Sequence, residues 1–196
     1  MIVASSNEGK LREYRALAAS AASSLDLALL PNFSALPEFD EAAKTFGENA
    51  VGKALHYSHF SEGLVIADDS GLVVPALGGA PGVRSARYAG PEASDADRIR
   101  KLLDAMRGKK KEDRRARFVC VAALAERGEA RGVFSASTEG EILDAPRGDG
   151  GFGYDPIFFF SVLGKTFAEI PREEKSLHSH RGKAFRKALD FLASAC

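Results

Sequence analysis

Two adjacent carboxylates, Asp68 and Asp69, follow the apolar run Leu64-Val65-Ile66-Ala67 and precede Ser70-Gly71. Burying an ionised carboxylate without a partner is costly, so acids at the end of an apolar strand are not there for packing. A carboxylate in such a place can hold a hard cation or take a proton from water. Neighbouring side chains on a strand point to opposite faces. If the strand continues to Asp69, one acid faces a given cleft and the other needs a structural partner. Gly71 allows a sharp backbone change after the pair, and Gly78, Gly79 and Gly82, with Pro81, make a tight loop. The plain alternative is a strand ending in a polar turn capped by an aspartate.

Other stretches carry chemistry-bearing groups. Ser5-Ser6-Asn7-Glu8-Gly9-Lys10 joins a short apolar run to a helical pattern, an arrangement that aims backbone N–H groups at an anion. Lys10 adds a positive charge there, and no Walker A pattern is present. Glu38, Asp40 and Glu41 form an acidic cluster, which by itself reads as a solvated face. Asn49 and Lys53 lie one helical turn apart. Gly148 to Gly153 satisfies GxGxxG, but Tyr154-Asp155-Pro156 follows, and Pro156 opposes the helix a dinucleotide site requires. Phe152 and Tyr154 place two aromatic rings in and beside this loop. His178 and His180 form a lone HxH, weak evidence for a metal.

These residues need elements to hold them. The order of apolar runs and helical patterns predicts an α/β fold with a mixed, twisted central sheet and flanking helices. Strands are expected at Ile2–Ala4, Leu25–Leu30, Leu64 onward and Ile157–Phe160, with a hairpin over 118–125 and 133–138 turning near Gly128. Helices are expected after Lys10, from a Thr45/Glu48 capping box to about His59, from Ser94 to Met106, and at the C-terminus through Phe185, Ala188, Leu189 and Leu192.

With 196 residues the chain suits one domain, or one core with two lobes. The 27 basic and 27 acidic residues balance, which argues against a nucleic-acid partner. The basic run Arg107–Arg115 interleaves no aromatic residue for stacking, so it reads as a solvated loop. No apolar run is long enough to span a membrane, and no signal peptide is read at the start. Cys120 lies in an apolar strand and Cys196 is the last residue, so no disulfide framework is expected. A cytoplasmic location follows as an expectation.

SSNEGK, TFGENAVGKA, ADDSGL, ALGGAPGVRSARYAG, GGFGYDPIF and EEKSLHSHRGKA occur in that order. Together they resemble the inosine/xanthosine triphosphate pyrophosphatase family, from about Val3 to about Ala188. The resemblance implies an activity: hydrolysis of inosine, deoxyinosine and xanthosine triphosphates to the monophosphate and pyrophosphate. It also implies two lobes around a long nucleotide cleft, a homodimer, and Mg²⁺ as cofactor. Ser5, Ser6, Asn7, Glu8, Gly9 and Lys10 stand where the family holds the triphosphate, with Ser5-Ser6 in place of Thr-Gly. Lys53 is implied near the phosphates, with Ser70 beside the substrate. Phe152, Gly153, Tyr154 and Asp155 are implied on the nucleoside, Lys175 on the nucleotide, and His180 with Arg181 on the base. Asp69 is implied as catalytic and as a metal ligand, together with Asp40 or Glu41 and with Glu38 in reserve. Val73, Pro75 and Arg84 depart from the family pattern outside the Asp-Asp-Ser-Gly core.

Two other classes fit parts of the chain. One is a related nucleotide pyrophosphatase with another base preference; the other is a nucleotide- or RNA-binding module without turnover. The intact acids and Lys10 disfavour the latter, and the neutral net charge disfavours RNA.

Overall fold

The computed structural model describes residues 1–5, 7–20 and 27–194. In chain order the elements are β1 (Ile2–Val3), α1 (Glu8–Ser20), β2 (Ala28–Leu29), α2 (Phe46–Ser58), β3 (Val65–Val73), α3 (Asp95–Ala105), β4 (Arg115–Glu126), β5 (Glu129–Ile142), β6 (Phe158–Phe160), β7 (Lys165–Thr166), α4 (Arg172–His178) and α5 (His180–Ser194). The strands form one sheet in the order β2-β1-β3-β4-β5-β6-β7. β1 runs parallel to β2 and β3, whereas β6 runs antiparallel to β5 and β7. The expected mixed sheet with flanking helices is the architecture found.

The chain divides into two compact units. Unit 1 is Met1–Asp69, Cys120–Ala136 and Ser176–Cys196; unit 2 is Ser70–Val119 and Ser137–Lys175. In unit 1 the strand period of two sorts the core. Cys120, Ala122 and Leu124 of β4 pack with Ile66 against Leu11, Tyr14 and Leu17 of α1 and Ala184, Phe185 and Ala188 of α5. Val121, Ala123 and Ala125 pack with Val65 and Ala67 against Ala50, Ala54 and Tyr57 of α2. Helices therefore cover both faces of these strands, which is why β4 reads as a nearly unbroken apolar run. Unit 2 has its own core, built around Leu72, Leu102, Phe118, Phe158 and Phe167.

The local signals act as their chemistry dictates. Thr45 and Glu48 close a capping box at the start of α2, and Ser94 and Asp97 close another at α3. Arg127 and Gly128 both have positive φ, 50° and 80°, the backbone a two-residue hairpin turn requires between β4 and β5. The basic run is exposed apart from Arg114 and partly a 3₁₀ turn over Lys111–Arg114, whose Arg114 pairs with Asp144.

Four expectations are corrected. β3 does not end at the acid pair; it runs on to Val73, because Leu72 is fully buried in the unit 2 core. Gly71 is not a bend. Any Cβ there would strike Gly82 O and the Ser85 hydroxyl, and Ser85 Oγ accepts from Leu72 N at 2.9 Å and donates to Gly82 O at 2.7 Å. Gly71→Ala is accordingly expected to cost about 1–3 kcal/mol by overpacking; an unchanged urea midpoint would show that the 82–85 segment yields freely. The second strand is only Ala28–Leu29, while Leu25 and Asp26 lie outside the described residues. Finally, Ile157 sits in a 3₁₀ turn, so the next strand starts at Phe158.

Candidate active site

The pleat of β3 places Asp68 and Asp69 on opposite faces of unit 1. Asp68 follows Ile66 toward α1 and α5, and Asp69 follows Val65 and Ala67 toward α2. Their surroundings differ accordingly.

Asp68 is 2% exposed and fully partnered. Lys10 Nζ lies 3.1 Å from its Oδ2 and donates to its carbonyl at 3.0 Å. Arg181 Nε and Nη2 each lie 3.3 Å from the same Oδ2, and Cys120 Sγ approaches it at 3.8 Å. The other side of the Arg181 guanidinium is bonded to Glu13. Burial pushes the Asp68 pKa up, but the charges of Lys10 and Arg181 outweigh it and hold the acid well below the usual range. Burial and the neighbouring Asp68 push the Tyr14 phenol well above its ordinary value.

Asp69 is 5% exposed. Asn49 Nδ2 donates to its Oδ2 at 2.9 Å. Its pKa is raised, chiefly by burial; Lys10 and Asn49 pull it down, and the like charges of Glu41 and Asp68 push it up. Glu41 is paired with Lys53 of α2. Asn49 is fully buried, and its Oδ1 accepts from Ala43 N at 3.0 Å, so one side chain holds both the acid and the acidic loop.

At the N-terminal turn, Ser5 Oγ accepts from Asn7 N at 3.2 Å, and Asn7 Oδ1 accepts from Lys10 N at 3.0 Å at the start of α1. Asn7 and Glu8 are exposed and Gly9 is buried. Ser6 lies outside the described residues. Asp40 and Glu38 are exposed, Glu41 is half-buried, and the Glu41 charge bears on Asp69. Among the described residues no cluster of three or more His, Cys, Asp or Glu could hold a metal. Mg²⁺, however, is usually held by one or two carboxylates plus substrate phosphates. The Asp69 and Glu41 charges repel each other, and a cation beside them would relieve that repulsion, so these residues fit it.

The remaining expected residues form a second group, in unit 2. Ser70, Phe152 and Gly153 are half-buried. Tyr154 is buried and donates from its hydroxyl to Ser85 O at 3.0 Å. Asp155 Oδ2 accepts from Phe152 N at 2.9 Å and from Lys175 Nζ at 2.6 Å, both side chains being buried. Gly153 N donates to Asp95 Oδ2 at 2.7 Å. Lys175 Nζ also lies 5.3 Å from the Phe152 ring centroid. Tyr154 and Asp155 thus spend their polar atoms on the shape of the glycine-rich loop.

His180 is buried at the first residue of α5. The Arg181 side chain is 2% exposed, with donors on Glu13 and Asp68, as a buried guanidinium requires anionic partners. Glu13 and Tyr14 were not expected in any polar group. One signal for Glu13 was present: it stands four residues before the core residue Leu17 on α1, an acid at the spacing of a buried stripe.

Structure and site together define an α/β protein that sets a buried acid, a second carboxylate and two lysines at the middle of its sheet. Within that class, a model of the Ham1 family matches residues 1–191, and the chain belongs to this family. It is 49% identical to the dITP/XTP pyrophosphatase of Geobacillus kaustophilus over 95% of this chain and 91% of that one. It is 47% identical to the dITP/XTP pyrophosphatase of Geobacter sulfurreducens over 98% and 96%. The solved HAM1 protein from Coxiella burnetii superposes with a TM-score of 0.86 at 40% identity, over 98% of each chain. No helix among the described residues is long and apolar enough to cross a membrane.

Proposed function

We propose that this chain is a nucleoside triphosphate pyrophosphatase that hydrolyses inosine, deoxyinosine and xanthosine triphosphates to the monophosphate and pyrophosphate, removing them from the nucleotide pool. The observation that carries the reading is Asp69: a buried carboxylate with a raised pKa, fixed by Asn49, with Glu41 nearby and paired to Lys53, and with Lys10 paired to the neighbouring Asp68. The names carried by its close relatives support the same substrates.

A raised pKa makes Asp69 a stronger base than an exposed aspartate. In this reading it takes a proton from the attacking water. The water oxygen bonds to the α phosphorus, the bond from that phosphorus to the bridging oxygen breaks, and pyrophosphate leaves. Lys10 and Lys53 offset the charge gathering on the phosphate oxygens. Asp69 and Glu41 would hold Mg²⁺, which supplies further charge neutralisation when bound. Among the unit 2 residues, the half-buried Phe152 ring offers a π-face suited to a purine.

Product analysis tests this reading. Inosine and xanthosine triphosphates are expected to give monophosphate plus pyrophosphate in Mg²⁺ and nothing with chelator, with guanosine and adenosine triphosphates much slower. Orthophosphate plus diphosphate would place the attack on the terminal phosphorus. Equal turnover of all four nucleotides would remove the base preference while leaving Asp69 its role.

A further inference from the structure

Glu41 has no element of its own: it lies in the irregular stretch 37–43, between a 3₁₀ turn at Phe33–Ala35 and the cap of α2. Its position is set by what fastens that stretch. Besides the Lys53 pair, contacts with α2 fasten it. His56 Nε2 lies 2.8 Å from the carbonyl of Pro37. Phe39 N donates to the Tyr57 hydroxyl at 3.4 Å, and Ala43 N donates to Asn49 Oδ1 at 3.0 Å. Another is steric. The Phe39 ring lies on the backbone of Gly52, where an added Cβ would meet Cζ at 2.5 Å and Cε2 at 3.0 Å.

Gly52 is mid-helix, where glycine is a poorer helix former than alanine. Its backbone is ordinary helix, so conformation does not call for glycine; the room it leaves for a phenyl ring does. The contact is two residues from Glu41, as close in sequence as the hydrogen bonds of Phe39 N and Ala43 N and closer than that of Pro37.

We propose that Phe39, seated on the bare backbone of Gly52, is a positioning residue for Glu41, holding its carboxylate toward Asp69 for the divalent cation. The proposal rests on the reading above, in which these two acids bind that cation. The polar contacts fix the backbone at 37, 39 and 43, and the ring fixes the lean of the stretch between them. A lysine pair alone cannot, because the Lys53 stem is flexible and follows the carboxylate.

Gly52→Ala tests this, alone and combined with Phe39→Leu, whose shorter side chain ends before the added methyl. Three quantities are measured: the melting temperature, amide hydrogen exchange at Phe39 and Ala43, and the affinity for Mg²⁺ alone by calorimetry. Gly52→Ala is expected to melt at or above the parent temperature, because alanine favours the helix. Exchange at Phe39 and Ala43 should accelerate, and Mg²⁺ affinity should fall about 10–100-fold, the scale for losing an outer support of a metal site. The double variant should recover most of both losses. Parental exchange and Mg²⁺ affinity in Gly52→Ala would overturn the proposal, as would a double variant no better than the single. Absence of Mg²⁺ binding in the parent would instead remove the cation reading of Asp69 and Glu41; the exchange rates, which need no metal, tell that outcome apart.

Discussion

Asp69→Asn is expected to lose about 10²–10⁴-fold in kcat while still binding nucleotide. The amide keeps the shape of the side chain and an oxygen for the Asn49 donor, but lacks the charge and the basicity. The same change should raise the melting temperature at neutral pH. The pKa of Asp69 is raised in the fold, so the ionised acid is less favourable folded than unfolded. Its cost is absent below the unfolded value, about 3.9, and complete above the folded one. Removing the charge therefore removes a cost, the familiar conflict between a working acid and a stable core. In the parent, kcat should fall on the acid side as Asp69 is protonated, and this limb should vanish from the residual activity of the variant. Near-parental turnover at saturating Mg²⁺ would remove Asp69 from the chemistry.

Arg181→Met should destabilise unit 1 strongly, by about 3–5 kcal/mol, the cost of breaking a buried ion pair from one side. The guanidinium lies between Asp68 and Glu13, and all three side chains are buried. Methionine fills much of the volume but leaves two carboxylates facing apolar surroundings, with Lys10 reaching only Asp68. Glu13→Gln in the same chain should return part of the loss, because the amide no longer carries an unmatched charge. The pH dependence has a definite sign. The folded pKa of Asp68 is depressed, so its stabilisation is complete above the unfolded value near 3.9 and is lost as pH falls toward the folded value. Losing Arg181 should move that loss to higher pH. Urea unfolding across pH measures both effects. A loss below about 1 kcal/mol together with altered discrimination between inosine and adenosine triphosphates would instead return Arg181 to the base edge.

Some of this protein is fixed by neighbours in the chain. The apolar run of β4, the alternation that turns Asp68 and Asp69 to opposite faces, and the Thr45/Glu48 and Ser94/Asp97 caps all act within a few residues. Local steric and hydrogen-bonding rules set them, so they are legible from residue order alone. The blocks from SSNEGK to EEKSLHSHRGKA likewise announce the family, because each is a contiguous stretch. What residue order cannot express is which side chains meet across the fold. Lys10 reaches Asp68 over 58 positions, and Arg181 reaches Glu13 over 168. Gly71 is glycine because residues 82 and 85 press on it, and Gly52 because Phe39 does. Partners of this kind are chosen by burial: once a charge leaves water, it takes the opposite charge that packing brings within reach. For that reason the tertiary structure, and not the motif containing it, decided that Arg181 pairs with Asp68 and Glu13, and that Lys53 pairs with Glu41.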